Sequence, residues 1–241
     1  MKLIRNILLK VFSHQTLALL RWDLHFIGIR FINLLSIKKN KTEKKLREAK
    51  RPLYLNLGSG PRGLSDPQWI NVDGYKYKNV MFCMDFNRKL PFPDNCFDGI
   101  FCEHVLEHFN LEKGQNLLRE CHRIIQPCGC IRIIVPDGEK IIRTYLDNPS
   151  ELLKHRSGTP WDGNTSCAMD AVNSFFRQRY EHQFIYDWKL LEHQLCQAGF
   201  AQISRVSFRK GKVSTAIRLD DEKYAWESLY LEAVKPTSES E

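Results

Sequence analysis

The sequence contains no C-x-x-C pair, no internal repeat and no apolar run long enough to cross a bilayer. Its eight cysteines are scattered from Cys83 to Cys196, several inside apolar runs where cysteine behaves as a small hydrophobic residue. No export signal is visible, so this usage favours reduced thiols in a cytoplasmic protein over a disulfide framework. The uncharged run between Lys10 and Arg21 is too short to span a membrane, and no signal-peptide cleavage site follows it.

Acidic residues are scarce in the first 51 positions. This segment contains thirteen lysines and arginines but only three acidic residues, Asp23, Glu43 and Glu48. The whole chain of 241 residues has a net charge of +8, so the positive excess is confined to this arm. The arm has no interleaved aromatic pattern and matches no nucleic-acid-binding fold, so no nucleic acid is expected as a partner.

Apolar residues recur at helical spacing from Leu3 to Val11, which predicts a basic amphipathic helix. Such a helix suits the inner face of an anionic membrane, and it suits packing on its own domain or on a partner subunit equally well. Residues 38–51 are expected to form a solvated, helical linker.

From Pro52 onward, short apolar strands alternate with helices, and the polar residues 236–241 form a tail. Strands are predicted at 53–57, 69–72, 80–84, 97–102, 130–135, 203–208 and 228–234. Helices are predicted at 111–125 and 188–198, the second with Asp187 as N-cap and Gly199 as its end. This alternation predicts one α/β domain over 52–235, with a mostly parallel seven-stranded sheet and helices on both faces. Residues 147–182 fit no strand–helix unit and are expected to form an insertion on the substrate side.

The loop LNLGSGPRG matches the dinucleotide fingerprint G-x-G-x-x-G at Gly58, Gly60 and Gly63. A dinucleotide site also needs a long helix after the glycines, whose N-terminus meets the pyrophosphate. Pro61 follows Gly60 directly, and only residues 61–68 separate the glycines from the next strand. The match is therefore weak support for a nicotinamide cofactor.

Four linked motifs occur in order along the chain: LNLGSG, an acid at a strand end, MDFNRKLPFPDNCFDGIFCEHVLEHF and LRECHRIIQPCGCIRIIVPD. Together they resemble the class I, Rossmann-like methyltransferases that use S-adenosylmethionine (SAM), and most of all the type-11 group. The segments HQFIYDWKLLEHQLCQAGF and ESLYLEAVK look like those of a bacterial subgroup of predicted methyltransferases. Two departures stand out, because the link to the second strand is short and Cys128 replaces a glycine of the usual P-G-G turn.

The resemblance implies SAM as cofactor and assigns residues at the strand ends to it. Gly58, Ser59 and Gly60 would hold its amino-acid end, while Asp73 would accept from the ribose hydroxyls. Asp85 would face the adenine amino group, with Phe86 or Leu90 against the ring. The methionine side would be lined by Cys102, Glu103 and His104. Independently of the family, a sulfonium cation tolerates such carboxylates, whereas a pyrophosphate would be repelled.

Transfer to a hydroxyl requires a general base, for which the candidates are His104, Asp137 and His182, with His104 favoured by its strand-end position. His104-Val-Leu-Glu107-His108 also matches a zinc-protease pattern, but such a site needs a third protein ligand and both histidines on one helix face. No metal is therefore expected, and Glu107 and His108 are expected to fix the start of the next helix.

The sequence thus predicts SAM-dependent methylation of a small-molecule or glycan acceptor, at oxygen. A methyltransferase-like binding module without turnover and a nicotinamide-dependent oxidoreductase remain as alternatives. The arm, residues 1–51, is expected to contact a membrane surface or a partner protein.

Overall fold

The computed structural model describes residues 11–34, 46, 51–159, 165–178, 181–212, 216 and 218–237. The amphipathic helix predicted from Leu3 and most of the predicted 38–51 linker lie outside these residues. Among the described helices, none is long and apolar enough to cross a membrane.

The sheet has seven strands and is mostly parallel, as the sequence predicted, and the structure gives their order as β3-β2-β1-β4-β5-β7-β6. Their bounds are β1 Tyr54–Leu57, β2 Trp69–Asp73, β3 Phe82–Cys83, β4 Phe97–Glu103, β5 Ile125–Pro136, β6 Ala201–Val206 and β7 Ser228–Val234. The first five strands run parallel, and β7 pairs antiparallel with both β5 and β6. The carboxyl ends of the parallel strands therefore meet at one edge of the sheet.

Six α-helices accompany the sheet within the described ranges. They are α1 His14–Leu34, α2 Leu111–Ile124, α3 Gly138–Asp147, α4 Pro149–Arg156, α5 Ala168–Arg177 and α6 Trp188–Gln197. Asp187 caps α6 as predicted, since its carboxylate accepts from the Leu190 amide at 2.8 Å. Helices α4 and α5 lie within 147–182, where no strand–helix unit was expected, and they enclose a small core of their own with α3.

The main core lies on one face of the sheet, where Leu55 and Leu57 of β1 meet Leu117 of α2 and Leu195 of α6. The opposite face has a smaller core that includes Trp69 and Phe101. The link from β1 to β2 contains only the 3-10 turn Gly60–Arg62, so it is short, as its spacing indicated.

Helix α1 lies against the carboxyl edge of the sheet. Its His25 ring stacks on Tyr75 with centroids 4.4 Å apart, and His25 Nε2 donates to the Gly74 carbonyl at 2.8 Å. Arg30 of the same helix reaches Asp85 beyond β3. This part of the arm therefore packs on its own domain, at the edge where a ligand of such a sheet binds.

Candidate active site

The glycine loop after β1 is held tightly by its neighbours. The Gly58 and Ser59 amides both donate to the Val72 carbonyl, at 2.9 Å and 3.0 Å. Gly58 has φ +73°, and a Cβ built there would lie 2.2 Å from a methyl group of Val105. Only glycine fits this position, since a side chain would both strain the backbone and overlap Val105.

Asp73 stands directly beside the loop, despite the short link. Its Oδ2 accepts from the Gly60 amide and its Oδ1 from the Tyr75 amide, both at 2.8 Å. Burial raises the pKa of Asp73 above its ordinary value, although these hydrogen bonds act in the opposite direction. Each oxygen of Asp73 keeps a further acceptor position that could receive a hydroxyl group. The contact of Asp73 with the ribose hydroxyls of a cofactor stays a prediction.

A cavity of about 210 Å³ opens next to the loop and is lined by Gly58, Ser59 and Glu103, among others. Ser59 is buried, and its hydroxyl has no hydrogen-bond partner among the described residues. A buried hydroxyl without a partner costs free energy unless a ligand or water meets it. The amides of Gly58, Ser59 and Gly60 already donate within the protein, so this hydroxyl is the hydrogen-bond donor of the three residues that is left for a ligand.

Glu103 closes the cavity at the end of β4. Its Oε2 accepts from Arg62 at 2.5 Å, and its Oε1 accepts from the Asp221 amide at 3.0 Å. Arg62 also pairs with the Asp221 carboxylate at 3.0 Å. Cys102, which precedes Glu103, lies in the main core on the other face of the sheet and does not line this cavity.

Asp85 is buried beyond β3, and its carboxylate is fully engaged. Oδ2 accepts from Arg30 at 2.7 Å and 2.6 Å, and Oδ1 accepts from the Asn87 amide and side chain at 3.0 Å and 2.8 Å. Burial acts to raise the pKa of Asp85, but these bonds outweigh it and the pKa is lowered. A carboxylate has about four acceptor positions, so an adenine amino group would have to displace one donor. Phe86 and Leu90 are buried nearby in the chain.

His104 has both ring nitrogens engaged. Nδ1 meets Glu107 Oε1 at 2.9 Å, and Nε2 meets Ser228 Oγ at 2.9 Å. The Ser228 hydroxyl donates to the Tyr224 carbonyl at 2.7 Å, so it accepts from His104 and Nε2 carries a proton. Burial would lower the pKa of His104, but the hydrogen bond and charge of Glu107 raise it overall. As a general base, His104 would first have to lose a bound proton.

The other two candidate bases differ in how they are held. Asp137 caps α3 by accepting from the Lys140 amide at 3.0 Å, and it pairs with Arg205 at 2.9 Å. His182 Nδ1 lies 2.7 Å from the Phe175 carbonyl, which only accepts, so Nδ1 carries the proton and Nε2 the lone pair of the neutral ring. Burial lowers the pKa of His182 to about 4. Of the two histidines, His182 is therefore the one that keeps a lone pair, while the Asp137 carboxylate is already engaged by an amide and a guanidinium group.

Several residues of this region were not predicted from the sequence. Arg30 lies 55 positions before Asp85, and Ser228 lies 124 positions after His104. Nothing local marks either residue, since the topology alone brings α1 and β7 to this edge.

Comparison with known proteins supports the resemblance seen in the sequence. Residues 66–133 match a family model described as a methyltransferase domain. The chain is 26% identical over 117 residues to a demethylmenaquinone methyltransferase of Chlorobaculum tepidum, covering 42% of this chain and 47% of that protein. It is 34% identical over 74 residues to an uncharacterised protein of Methanocaldococcus jannaschii, covering 31% of each. The chain therefore spans about half the length, or less, of the curated relatives it matches.

Among solved structures, a SAM-dependent methyltransferase from Archaeoglobus fulgidus aligns with a TM-score of 0.46 and 16% identity, covering 83% of this chain and 94% of that one. A SAM-dependent methyltransferase of Thermotoga maritima, titled a possible histamine N-methyltransferase, aligns with a TM-score of 0.47 and 14% identity, covering 90% and 95%.

Proposed function

We propose that this chain, which carries a class I SAM-dependent methyltransferase domain, is an active enzyme that methylates a small-molecule or glycan acceptor at oxygen. The observation that carries the proposal is the unpartnered, buried Ser59 hydroxyl in a cavity beside the glycine loop. The strand-end acids Asp73, Asp85 and Glu103 lie along the same edge. Arginines offset the charges of Asp85 and Glu103, so the carboxylate of Asp73, which pairs with no cation among the described residues, is the one that would favour a sulfonium cofactor over a pyrophosphate.

The chemistry is a displacement at a carbon that the cofactor already activates. SAM supplies this methyl group: an O–CH₃ bond forms, the S–CH₃ bond breaks with its electron pair left on sulfur, and the acceptor proton leaves to a base or to water. The task of the protein is chiefly to align the acceptor with the methyl group and to exclude competing nucleophiles. In this role Ser59 and Glu103 would fix the methionine side, and Asp73 the ribose.

We infer that His104 acts as a positioning residue, because both its nitrogens are engaged. Its ring joins the buried Glu107 carboxylate on one side to the Ser228 hydroxyl on the other, and so fixes the position of both. His182, with its lone pair at Nε2, is left as the side chain that could assist proton loss, whereas Asp137 serves α3 and Arg205.

For the arm, we propose contact with a membrane surface or a partner through the outer side of α1. Four apolar side chains recur there at helical spacing and are 43% to 69% exposed: Leu20, Leu24, Ile27 and Phe31. A stripe of this kind on a basic arm suits an anionic, partly apolar surface.

A methyl-transfer assay tests the proposal. The full-length chain is incubated with SAM and a panel of sugars, phenols and amines, and S-adenosylhomocysteine and methylated products are measured by mass spectrometry. We expect products methylated at oxygen. Ser59→Ala should weaken SAM binding about two- to tenfold through the loss of one hydrogen bond. The exposed Ser65→Ala is the matched control and should leave it unchanged. Products methylated only at nitrogen or carbon would contradict the assignment to oxygen, and binding without any product would favour the inactive module.

A further inference from the structure

Three side chains beyond the cofactor loop converge on one point: Glu107, His108 and His182. One potential ligand atom from each lies within 4.8 Å of those of the other two. The two histidine rings meet edge to face, with centroids 5.1 Å apart. Ligand atoms around one transition-metal ion have bonds of about 2.0–2.2 Å and so lie within about 4.4 Å of one another. A small inward movement would bring this group to that spacing.

Both rings are held in the tautomer that a metal requires. His108 Nδ1 lies 3.1 Å from the Glu181 carbonyl, and His182 Nδ1 lies 2.7 Å from the Phe175 carbonyl. A carbonyl oxygen only accepts, so each Nδ1 donates and each neutral ring keeps its lone pair on Nε2. Histidine ligands of metal ions almost always donate their other N–H in this way, which fixes the ring orientation.

Glu107 provides a second, independent observation. The side chain is fully buried, and while Oε1 is bonded to His104, Oε2 has no hydrogen-bond partner among the residues that the structure describes. Together with the nearby ring nitrogens of His108 and His182, this buried carboxyl group forms a donor set for a cation.

Main-chain hydrogen bonds hold together the two distant segments that contribute to the cluster. The Gln183 amide donates to the Glu107 carbonyl at 2.7 Å, and the Phe184 amide lies 3.2 Å from the same oxygen. These bonds tie the segment after His182 to the turn Leu106–His108 at the end of β4. The rings and the carboxylate are thus set by main-chain hydrogen bonds and do not depend on flexible side chains alone.

We propose that Glu107, His108 and His182 bind a divalent transition-metal ion. Two imidazoles and one carboxylate suit Zn²⁺, Co²⁺ or Mn²⁺, and three protein ligands leave positions open for a further ligand, as catalytic sites do. No metal was expected from the sequence, because His104 and His108 were tested as the two histidine ligands and no third ligand was found. In the structure His182 lies with Glu107 and His108, whereas His104 is hydrogen-bonded to Glu107 and is not part of the cluster.

The position of the ion gives it a role that rests on the proposed function. The His108 amide donates to the Val105 carbonyl at 3.2 Å, and the Val105 side chain packs against Gly58, so the cluster lies next to the glycine loop. An ion held here would make the hydroxyl of a bound acceptor more acidic, so that its proton could pass to water near neutral pH. The acceptor class would then be one with a metal-binding hydroxyl, and no side-chain base would be needed.

The test measures metal binding itself, with the chelator-treated, full-length chain titrated with Co²⁺ by calorimetry and visible absorption. We expect one ion per chain, without the charge-transfer band of thiolate ligands. His108→Asn and His182→Asn can keep the donor to the backbone carbonyl while removing the Nε2 lone pair. Each should weaken Co²⁺ binding by at least about tenfold, since even an outer partner of a ligand is worth that much. His193→Ala removes an exposed histidine of α6 and should bind as the wild type does.

Absence of stoichiometric Co²⁺ binding, binding through thiolates, or unchanged affinity in both asparagine variants would each overturn the metal site. Circular dichroism and the metal-free melting temperature show whether each variant is folded. Titration of the same samples with S-adenosylhomocysteine separates the two ideas. Cofactor binding without Co²⁺ binding rejects only the metal site, whereas Co²⁺ binding without cofactor binding rejects only the proposed function.

Discussion

Two glycines of the cofactor loop have similar backbones and different surroundings. Gly58 and Gly60 have φ +73° and +53°, so an L-residue is strained at either position. A Cβ at Gly58 would lie 2.2 Å from Val105, whereas a Cβ at Gly60 would have no atom within 4 Å. Steric overlap therefore separates two positions that look equivalent in the G-x-G motif.

Alanine substitutions should reveal this difference. Gly60→Ala should lower the free energy of unfolding by about 1 kcal/mol, from backbone strain alone. Gly58→Ala should lower it by about 3 kcal/mol, because Val105 must also move. Urea unfolding followed by circular dichroism measures both. Equal losses in the two variants would mean that the contact with Val105 is not what fixes the loop.

At the same scale, the sequence predicted residue types better than residue partners. Asp73 and Asp85 were predicted from their places at strand ends and Glu103 from the family resemblance, and each lies at the edge of the sheet. What each carboxylate bonds to could not be predicted, because Arg30, Arg62 and the Asp221 amide approach from segments distant in sequence. His182 was predicted as a candidate base, but its position beside Glu107 was not. The hydrogen bonds that bring residues 182–184 to Glu107 join segments far apart in the sequence.

At the scale of elements, the strands with strong apolar patterns were predicted within a few residues, and the weaker ones were not. β3 is only Phe82–Cys83, where 80–84 was expected, since it lies at the sheet edge and pairs only with β2. β5 begins at Ile125, five residues earlier than predicted. The sequence Pro127-Cys128-Gly129, read as a turn, is an irregularity within the strand, with Cys128 at φ +63°. Single-sequence patterns do not distinguish such a bulge from a turn.

Helix α1 gives a prediction about access to the cofactor site. Arg30 occupies Asp85 Oδ2, so it would compete with the adenine amino group that the family resemblance assigns to this carboxylate. Arg30→Ala should free it and tighten the binding of S-adenosylhomocysteine by up to about tenfold, as for one hydrogen bond to a charged group. Isothermal titration calorimetry measures the change. The exposed Arg21→Ala on the same helix is the control. Weaker binding in Arg30→Ala would mean that Arg30 is part of the cofactor site and does not compete for it.

For the whole molecule, the parallel strands gather the glycine loop, the strand-end acids and the Glu107–His108–His182 cluster along one edge of the sheet, and α1 lies against part of it. This arrangement follows from topology, and the prediction of a mostly parallel sheet was sufficient to expect the loop and the acids at its carboxyl edge. The cluster and the position of α1 were not predictable in the same way, because each depends on contacts between segments far apart in the chain.

The central claim is that the glycine loop belongs to a SAM site and that its dinucleotide fingerprint is coincidental. Calorimetric titration of the purified, full-length chain with S-adenosylhomocysteine and with NAD tests it most directly. The account predicts one S-adenosylhomocysteine bound per chain and no binding heat with NAD. NAD binding at micromolar affinity, with S-adenosylhomocysteine giving no signal, would contradict it.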